Sequence, residues 1–173
     1  MSVILLADDS PHAQRMGQRI LAEEGHQVEY VFDGEDAALR LPEVDPDVVI
    51  ADAHLPGLSG IELCRYIKSN CRYVRVILTA GSLEELDEAA AKRAGCDVIL
   101  RKPFEASVMA GALTPLLAAA RRDRESMAAT GHLPARTPAQ PDEIRAAIES
   151  AVARELPRLL DELTQRVLLA LGH

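Results

Sequence analysis

Five reactive or metal-binding side chains stand where apolar runs of the sequence end. Asp8 and Asp9 follow the first run, Asp52 the third, Thr79 the fourth and Lys102 the fifth. Short apolar runs bounded by turn residues are typical of buried parallel strands, and ligands bind beyond the carboxyl ends of such strands. We therefore expect the carboxylates, the hydroxyl and the ammonium at one edge of one sheet, where they can hold a divalent cation and accept a phosphoryl group.

The residue types suggest a role for each member of this set. Asp52 ends the central run and is the candidate nucleophile, which would form an acyl phosphate. Asp8 and Asp9 offer hard oxygen ligands to Mg²⁺. Thr79 offers a hydroxyl to a phosphoryl oxygen, and Lys102 offers a compact positive charge. Each residue alone is more often structural, so the interpretation depends on all of them occurring in order at the ends of runs.

Short apolar runs alternate with segments that carry helix signals. The predicted strands are Val3–Ala7, Gln27–Val31, Val48–Ala51, Val74–Leu78 and Asp97–Leu100. The predicted helices run from Ser10-Pro11 to Gly25, from Asp33-Gly34 to about Leu41, from Ser59 to about Asn70, from Ser82 to Gly95 and from Glu105 to about Ala120. Five such units predict an α/β fold, a doubly wound five-stranded parallel sheet with helices on both faces.

Several helix boundaries rest on single residues. Ser10 is a typical N-cap and the proline that follows it suits the first helical position. Gly25 suits the position after a helix end. The string Ser82-Leu-Glu-Glu85 has capping-box spacing, so the fourth helix is predicted to begin there. We expect Pro103 to fix the backbone after Lys102, through a cis Lys–Pro bond if the turn requires it.

Composition and charge exclude several classes of protein. No apolar run in the 173 residues approaches the ~20 needed to span a bilayer. The first residues lack a basic region and soon meet acid, so we expect no signal peptide and a cytoplasmic location. Cys64, Cys71 and Cys96 lack metal-type spacing and are expected to be reduced structural thiols. Residues 1–120 hold 19 acidic and 11 basic residues, a net of −8, which is no nucleic-acid footprint.

The chain changes character after Ala120. Residues 121–141 show no periodicity and contain three prolines, so we interpret them as a flexible linker. Residues 142–173 carry apolar residues at spacings of three or four, which predicts an amphipathic helical tail that is kinked or broken near Pro157. Residues 121–173 hold 8 acidic residues and 8 arginines, a net of 0, so we expect neither DNA binding nor membrane binding from the tail.

Residues 1 to about 120 resemble the receiver domain of bacterial two-component response regulators. The matching strings are Leu-Ala-Asp8-Asp9-Ser, Asp52-Ala-His-Leu-Pro56-Gly57-Leu-Ser-Gly60, Thr79-Ala80-Gly81, Ala94-Gly95-Cys-Asp and Lys102-Pro103-Phe104. The resemblance implies a flavodoxin-like sheet of strand order 2-1-3-4-5. It also implies that a histidine kinase or phosphotransfer protein donates phosphate to Asp52.

The resemblance further implies a set of site contacts. Mg²⁺ would be held by Asp9, Asp52 and the main-chain carbonyl of His54, with Asp8 acting through water. Thr79 and Lys102 would contact the phosphoryl group. Such a domain is a signalling phosphoacceptor rather than an enzyme, because it catalyses only its own phosphorylation and dephosphorylation.

Three positions near the site vary or depart from the family pattern. Ile99 stands where the family usually has an aromatic residue that turns inward as the threonine moves, so Thr79 and Ile99 are the candidate switch pair with an altered readout. Either Ile99 packs inward permanently, or the signal travels through the backbone after Thr79. Gly81 is expected to leave the site open, and His54 to point to solvent rather than to orient a water.

Two functions follow from these expectations. The first is a phosphorylation-dependent switch whose output is a contact with a downstream protein partner, without DNA binding. The second is a phosphate sink or relay that hydrolyses its acyl phosphate rapidly, and the lifetime of phosphorylated Asp52 separates the two. Three uses of residues 142–173 stay open, namely a homodimer, docking on another protein and folding back onto the receiver.

Overall fold

The computed structural model describes residues 2–129, which form one open parallel sheet flanked by helices. The strands are β1 (Val3–Ala7), β2 (Gln27–Val31), β3 (Val48–Asp52), β4 (Arg75–Gly81) and β5 (Val98–Lys102). The helices are α1 (Pro11–Glu23), α2 (Gly34–Val44), α3 (Gly60–Asn70), α4 (Glu88–Arg93) and α5 (Ala106–Ala129). Within this part of the chain, no helix combines the length and the apolar character that crossing a bilayer requires.

The sheet has the order β2-β1-β3-β4-β5 and all its pairs are parallel, as predicted. The central strand β3 is buried along its whole length, which explains its uninterrupted apolar sequence. Its last residue, Asp52, pairs in register with Thr79 of β4, and Gly81 pairs with Lys102 of β5. The strand ends therefore bring the candidate site to one edge of the sheet.

An apolar core lies between one face of the sheet and helices α1 and α5. Its buried members are Ile4, Leu6, Leu21, Val48, Ile50, Ile77, Leu100, Met109, Leu113 and Leu117. Because side chains alternate between the faces of a strand, the intervening residues of β1, β3 and β4 point to the opposite face. The fully buried Leu63 and Ile67 come from α3, which contacts α2 and α4.

Most predicted helix signals act in the structure as expected. Ser10 caps α1 with Pro11 directly behind it, and Gly25 after its end has a φ of 77°, in the left-handed region that favours glycine. Asp33 caps α2, and Ser59 forms a capping box with Glu62 on α3. The three cysteines are free, as expected. The pKa of the Cys64 thiol is raised to about 12, mainly because the side chain is buried.

The predicted start of the fourth helix at Ser82 is wrong. Helix α4 begins at Glu88, and its cap is Asp87, whose side chain accepts a hydrogen bond from the N–H of Ala90 at 2.8 Å. The residues of the expected capping box form a turn instead, because the Glu84 carboxylate folds back onto the N–H of Gly81 at 2.5 Å. That contact belongs to the candidate site and competes with helix initiation.

The predicted end of the fifth helix near Ala120 is also wrong, because α5 continues to Ala129. Residues 121–129, assigned to a linker from the sequence, are helical. Ionic contacts hold them against the amino-terminal edge of the sheet. Arg124 pairs with Asp45 at 2.7 Å and with Asp47 at 3.3 Å, and Arg75 pairs with Asp123. The rest of the predicted linker and the predicted tail with its break near Pro157 lie outside the described residues.

Candidate functional site

Three of the predicted site residues are polar side chains buried at the carboxyl edge of the sheet. Asp8 is 3% exposed, Asp52 7% and Thr79 3%. Asp9, one residue beyond Asp8, is exposed to solvent. Burial of unpaired carboxylates costs free energy, so these groups need charged or hydrogen-bonded partners. The structure supplies the main partner from the opposite side of the site.

Lys102 lies between the two buried carboxylates. Its ammonium donates a hydrogen bond to Asp8 Oδ2 at 2.6 Å and forms a second, shorter contact with Asp52 Oδ2. Burial by itself lowers the pKa of Lys102, but the hydrogen bonds and charges of Asp52 and Asp8 outweigh it, and the pKa lies above its usual value. The lysine is therefore held charged at the point where a phosphoryl group would add negative charge. The peptide bond that follows, Lys102–Pro103, is cis.

Backbone N–H groups orient the carboxylates of Asp8 and Asp52. The N–H of Ser10 donates to Asp8 Oδ1 at 2.9 Å, and the N–H of His54 donates to Asp52 Oδ1 at 2.7 Å. Each acid thus has one oxygen on a turn N–H and the other on Lys102. This arrangement sets the orientation of both carboxylates before any ligand arrives.

Gln14, which was not among the candidate residues, holds the end of β1 in place. This buried side chain donates from Nε2 to the carbonyl oxygens of Asp8 at 2.7 Å and of Val31 at 2.9 Å. It satisfies two backbone acceptors where the first two strands separate. No sequence signal identified this residue, because its burial beside Leu21 on the inner face of α1 follows from how the helix packs on the sheet.

A close backbone approach explains one glycine of the quoted motif. A Cβ on Gly60 would lie 2.2 Å from the carbonyl oxygen of Asp52. Only glycine allows α3 to begin this near to the end of β3. The close packing keeps the nucleophile candidate at the first turn of that helix.

The donor set fits a magnesium ion. Asp8, Asp9 and Asp52 offer carboxylate oxygens and His54 a main-chain carbonyl, which are the hard ligands that Mg²⁺ prefers. Three negative charges against the one positive charge of Lys102 leave a formal charge of −2, which a divalent cation balances. Two of the carboxylates are buried and already oriented by backbone N–H groups.

The loop after β4 lies close to Asp52 and His54, a feature that the sequence did not predict. The His54 ring nitrogen Nε2 is 3.1 Å from the carbonyl oxygen of Glu85, and Nδ1 is 3.4 Å from Glu84 Oε2. His54 is half-exposed, but its imidazole contacts this loop rather than pointing only to solvent. The Glu84 side chain packs against Gly81, at a position that was expected to be open.

Arg101 of β5 holds the same loop in place through hydrogen bonds. Its guanidinium donates to the carbonyl oxygens of Glu84 at 2.9 Å and Gly81 at 3.3 Å, and it pairs with Glu88 at 3.1 Å. No sequence signal identified this residue, because its partners come from another strand and helix. Ile99, two positions earlier on the same face of β5, is partly buried and stands in register with Leu78.

An apolar hollow of about 450 Å³ opens next to these polar groups. Asp8, Thr79 and Lys102 line its polar end. Residues of α1, of the loop after β4 and of the start of α5 complete its lining, among them His12, Met16, Leu83 and Phe104. Leu83 is 98% exposed at the rim, so this edge of the site presents apolar surface to solvent.

Comparison with known proteins places this arrangement in a family. The model of the response regulator receiver domain matches residues 4–114. The transcriptional regulatory protein AfsQ1 of Streptomyces coelicolor is 29% identical over 133 residues, covering 77% of this chain and 59% of that protein. The DNA-binding response regulator MtrA of Mycolicibacterium smegmatis is 33% identical over 102 residues, covering 59% of this chain and 44% of that protein. The chain thus spans about half the length of these relatives.

A solved structure agrees with the sequence relatives. The receiver domain of a signal transduction histidine kinase from Syntrophus aciditrophicus has a TM-score of 0.65 at 31% identity, covering 70% of this chain and 94% of that one. Sheet order, matched residues and fold agree over the same part of the chain. The chain belongs to the family of response regulator receiver domains of two-component systems.

Proposed function

We propose that Asp52 accepts a phosphoryl group from a phosphohistidine of a kinase or phosphotransfer protein. The observation that carries this proposal is the convergence of Asp8 and Asp52 on Lys102 at the carboxyl edge of the sheet. An Asp52 carboxylate oxygen attacks phosphorus and the bond between phosphorus and the imidazole nitrogen breaks. The electron pair returns to the imidazole, and Asp52 becomes an acyl phosphate.

The chain's own residues prepare the site for this transfer. The N–H of His54 holds one Asp52 oxygen, so the carboxylate keeps a single orientation. Lys102 moves from carboxylate to phosphoryl oxygen as the charge there grows, and the Thr79 hydroxyl donates to a second phosphoryl oxygen. A magnesium ion on Asp8, Asp9, Asp52 and the His54 carbonyl would offset the charge repulsion between the acids and the phosphoryl group.

The apolar hollow supplies a route for the donor. Its polar end contains Lys102 and Thr79, and its rim contains Met16 and Leu83. A protein that carries a phosphohistidine can place the ring at the polar end and cover the rim with apolar side chains. The exposed residues around His12 to Gln18 on α1 would then contact the donor and influence its selection.

We propose that the output is a protein–protein contact made with residues 142–173, in the cytoplasm and without nucleic acid or membrane. The relatives named above are transcriptional or DNA-binding regulators by name, and that property belongs to them. The charge of residues 121–173 supports a different output here, because 8 acidic residues are balanced by 8 arginines. A DNA-binding surface needs an excess of positive charge. The apolar repeat of the tail supports a protein partner or a second copy of the chain.

The phosphorylation step is tested by incubating the full chain with a small phosphodonor and Mg²⁺ and recording intact mass. We expect the mass of one phosphoryl group to be added to the wild type and none to Asp52→Asn. The matched control is Glu43→Gln, which removes an exposed carboxylate on α2 and should be labelled like the wild type. Labelling that persists in Asp52→Asn would place the nucleophile elsewhere.

The output is tested by light scattering with Mg²⁺, with and without beryllofluoride as a phosphoryl mimic. The full chain is compared with a chain ending at Ala129, which keeps all of α5. A dimer that depends on the residues after 129 supports self-association. Monomers in both states shift the proposal to docking on another protein, and binding of random duplex DNA would overturn it.

A further inference from the structure

The imidazole of His54 is held between two oxygen atoms of the loop after β4. Nε2 lies 3.1 Å from the carbonyl oxygen of Glu85, and Nδ1 lies 3.4 Å from Glu84 Oε2. A carbonyl oxygen only accepts, so the hydrogen is assigned to Nε2. This assignment leaves Nδ1 beside Glu84 Oε2, which also accepts a hydrogen bond from the N–H of Gly81 at 2.5 Å. A nitrogen and an oxygen at this separation can serve as two ligands of one metal ion.

The separation of the two acceptors suits a metal. Zinc binds histidine nitrogen and carboxylate oxygen at about 2.0–2.2 Å in tetrahedral geometry, which places neighbouring ligand atoms about 3.3 Å apart. His54 Nδ1 and Glu84 Oε2 are 3.4 Å apart. A metal-bound histidine also characteristically donates its other N–H to a carbonyl or carboxylate, as His54 does to Glu85.

Asp52 provides a third ligand. Ligand atoms from Asp52, His54 and Glu84 all lie within 4.8 Å of one another. The three residues come from the end of β3, the turn after it and the loop after β4, and Arg101 fastens that loop at the carbonyl oxygen of Glu84. Tertiary structure therefore brings two carboxylates and one imidazole together from two separate segments of the chain.

We propose that Asp52, His54 Nδ1 and Glu84 form a second metal site, selective for a borderline divalent transition metal such as Zn²⁺, with water as fourth ligand. Magnesium favours oxygen ligands, whereas an imidazole nitrogen favours zinc and its neighbours. The two sites differ in what His54 contributes, its main-chain carbonyl to Mg²⁺ and its ring to the transition metal.

The site makes metal binding and phosphate acceptance mutually exclusive, a consequence that rests on the proposed function of Asp52. A transition metal on Asp52 and Glu84 would displace magnesium from the Asp52 carboxylate and hold the Glu84 side chain beside the attacking oxygen. The metal must compete with Lys102, which already contacts Asp52 Oδ2. The chain would then stop receiving phosphoryl groups when free transition metal rises.

Binding is tested by titrating the full chain with Co²⁺ and then displacing it with Zn²⁺. We expect the intense visible absorption of tetrahedral cobalt, without the sulfur charge-transfer band that a cysteine site would give. Glu84→Gln and His54→Gln should weaken cobalt binding about 10-fold or more. Glu85→Gln is the matched control, because it removes a neighbouring exposed carboxylate and keeps the main-chain carbonyl.

Equal affinity in wild type and Glu84→Gln, or a sulfur band, would overturn the site. The functional consequence is tested by the ratio of Asp52 labelling rates with and without Zn²⁺ in excess Mg²⁺. This ratio should fall in wild type and in Glu85→Gln and stay near one in Glu84→Gln. The chain could bind cobalt tightly through Glu84 and still take up no phosphoryl group from the phosphodonor with Mg²⁺. That result would uphold the metal site and reject the proposed function. Normal labelling that zinc leaves unchanged would reject the metal site's regulatory role alone.

Discussion

The ammonium of Lys102 donates a hydrogen bond to Asp8 Oδ2 at 2.6 Å, although 94 positions separate the two residues in the chain. The same nitrogen contacts Asp52, so one positive charge neutralises part of the repulsion between two buried acids. Removing a charged hydrogen-bond donor from buried acceptors costs more than the bond itself contributes. The stability of this edge of the sheet therefore depends on the lysine, or on a cation that replaces it.

Lys102→Met should lower the free energy of unfolding by about 1–3 kcal/mol at neutral pH without Mg²⁺. Methionine keeps the length of the side chain and removes the charge. Added Mg²⁺ should recover part of the loss, because the ion supplies positive charge to the same carboxylates. Urea unfolding with and without Mg²⁺ measures both effects. Lys92→Met, at an exposed lysine of α4, should change stability by less than about 0.5 kcal/mol.

The Lys102 contribution should also depend on pH. Its pKa is raised in the folded protein above the ordinary value of 10.5. A raised pKa for a cationic group means that the stabilisation is fully present below the unfolded value and is lost as the pH rises through the folded value. The stability difference between wild type and Lys102→Met should therefore be constant from neutral pH up to about pH 10 and shrink above it. A difference that grows at alkaline pH would contradict this account.

Gln14→Leu should destabilise the protein by about 1–3 kcal/mol, because the carbonyl oxygen of Asp8 loses its side-chain donor and that of Val31 keeps only the N–H of Asp8, at 3.2 Å. Leucine has a similar volume, so lost packing contributes little. Gln18→Leu, on the exposed side of the same helix, is the matched control and should change little. Thermal unfolding of both variants tests this prediction. Equal shifts in Tm would show that Gln14 acts through helix propensity alone.

Ile99→Tyr should leave the rate of Asp52 phosphorylation nearly unchanged. Ile99 lies on the face of β5 opposite to Lys102 and does not line the apolar hollow beside Thr79 and Lys102. Initial rates of labelling with a small phosphodonor and Mg²⁺ provide the test. Thr79→Ala serves as the contrast and should slow labelling, because it removes a donor to the phosphoryl group. A large loss of rate in Ile99→Tyr would assign this position to chemistry rather than to readout.

A chain ending at Ala120 should be less stable than one ending at Ala129 by about 1–3 kcal/mol. The shorter chain loses the pairs of Arg124 with Asp45 and Asp47, and the contact of Arg75 with Asp123. It also loses Arg124 from above the ring of Tyr73, at 4.7 Å from the centroid.

Denaturant midpoints of the two chains give the comparison. Arg124→Ala in the full chain provides a second estimate that does not depend on truncation and should show part of the same loss. Identical midpoints for the two truncated chains would mean that residues 121–129 contribute nothing to the stability of the receiver.

Signals between near neighbours in the sequence predicted much of the fold. The bounds of β2, Gln27–Val31, agree with the prediction, and Ser10, Gly25 and Ser59 mark helix ends as expected. Strand period, caps and turns depend on residues within about four positions of one another, so they can be read without a structure. The strand-end acids could be identified for the same reason.

Contacts between distant segments overrode local signals elsewhere. The spacing of Ser82 and Glu85 favours a capping box, yet Glu84 binds the N–H of Gly81 and Arg101 holds the loop, so α4 starts at Glu88. Residues 121–129 lack apolar periodicity, yet they are helical, and Arg124 pairs with Asp45, 79 positions earlier in the chain.

The sequence by itself therefore determined that a receiver domain is present and which polar residues stand at the ends of its strands. Only the tertiary structure decided that Lys102 lies between both acids, that Gln14 supports Asp8 and that His54 faces Glu84. The physical reason is the distance along the chain over which each interaction acts. Periodicity and capping act along a few residues of chain, whereas the distances between charged groups at the site follow from how five strands and their helices pack.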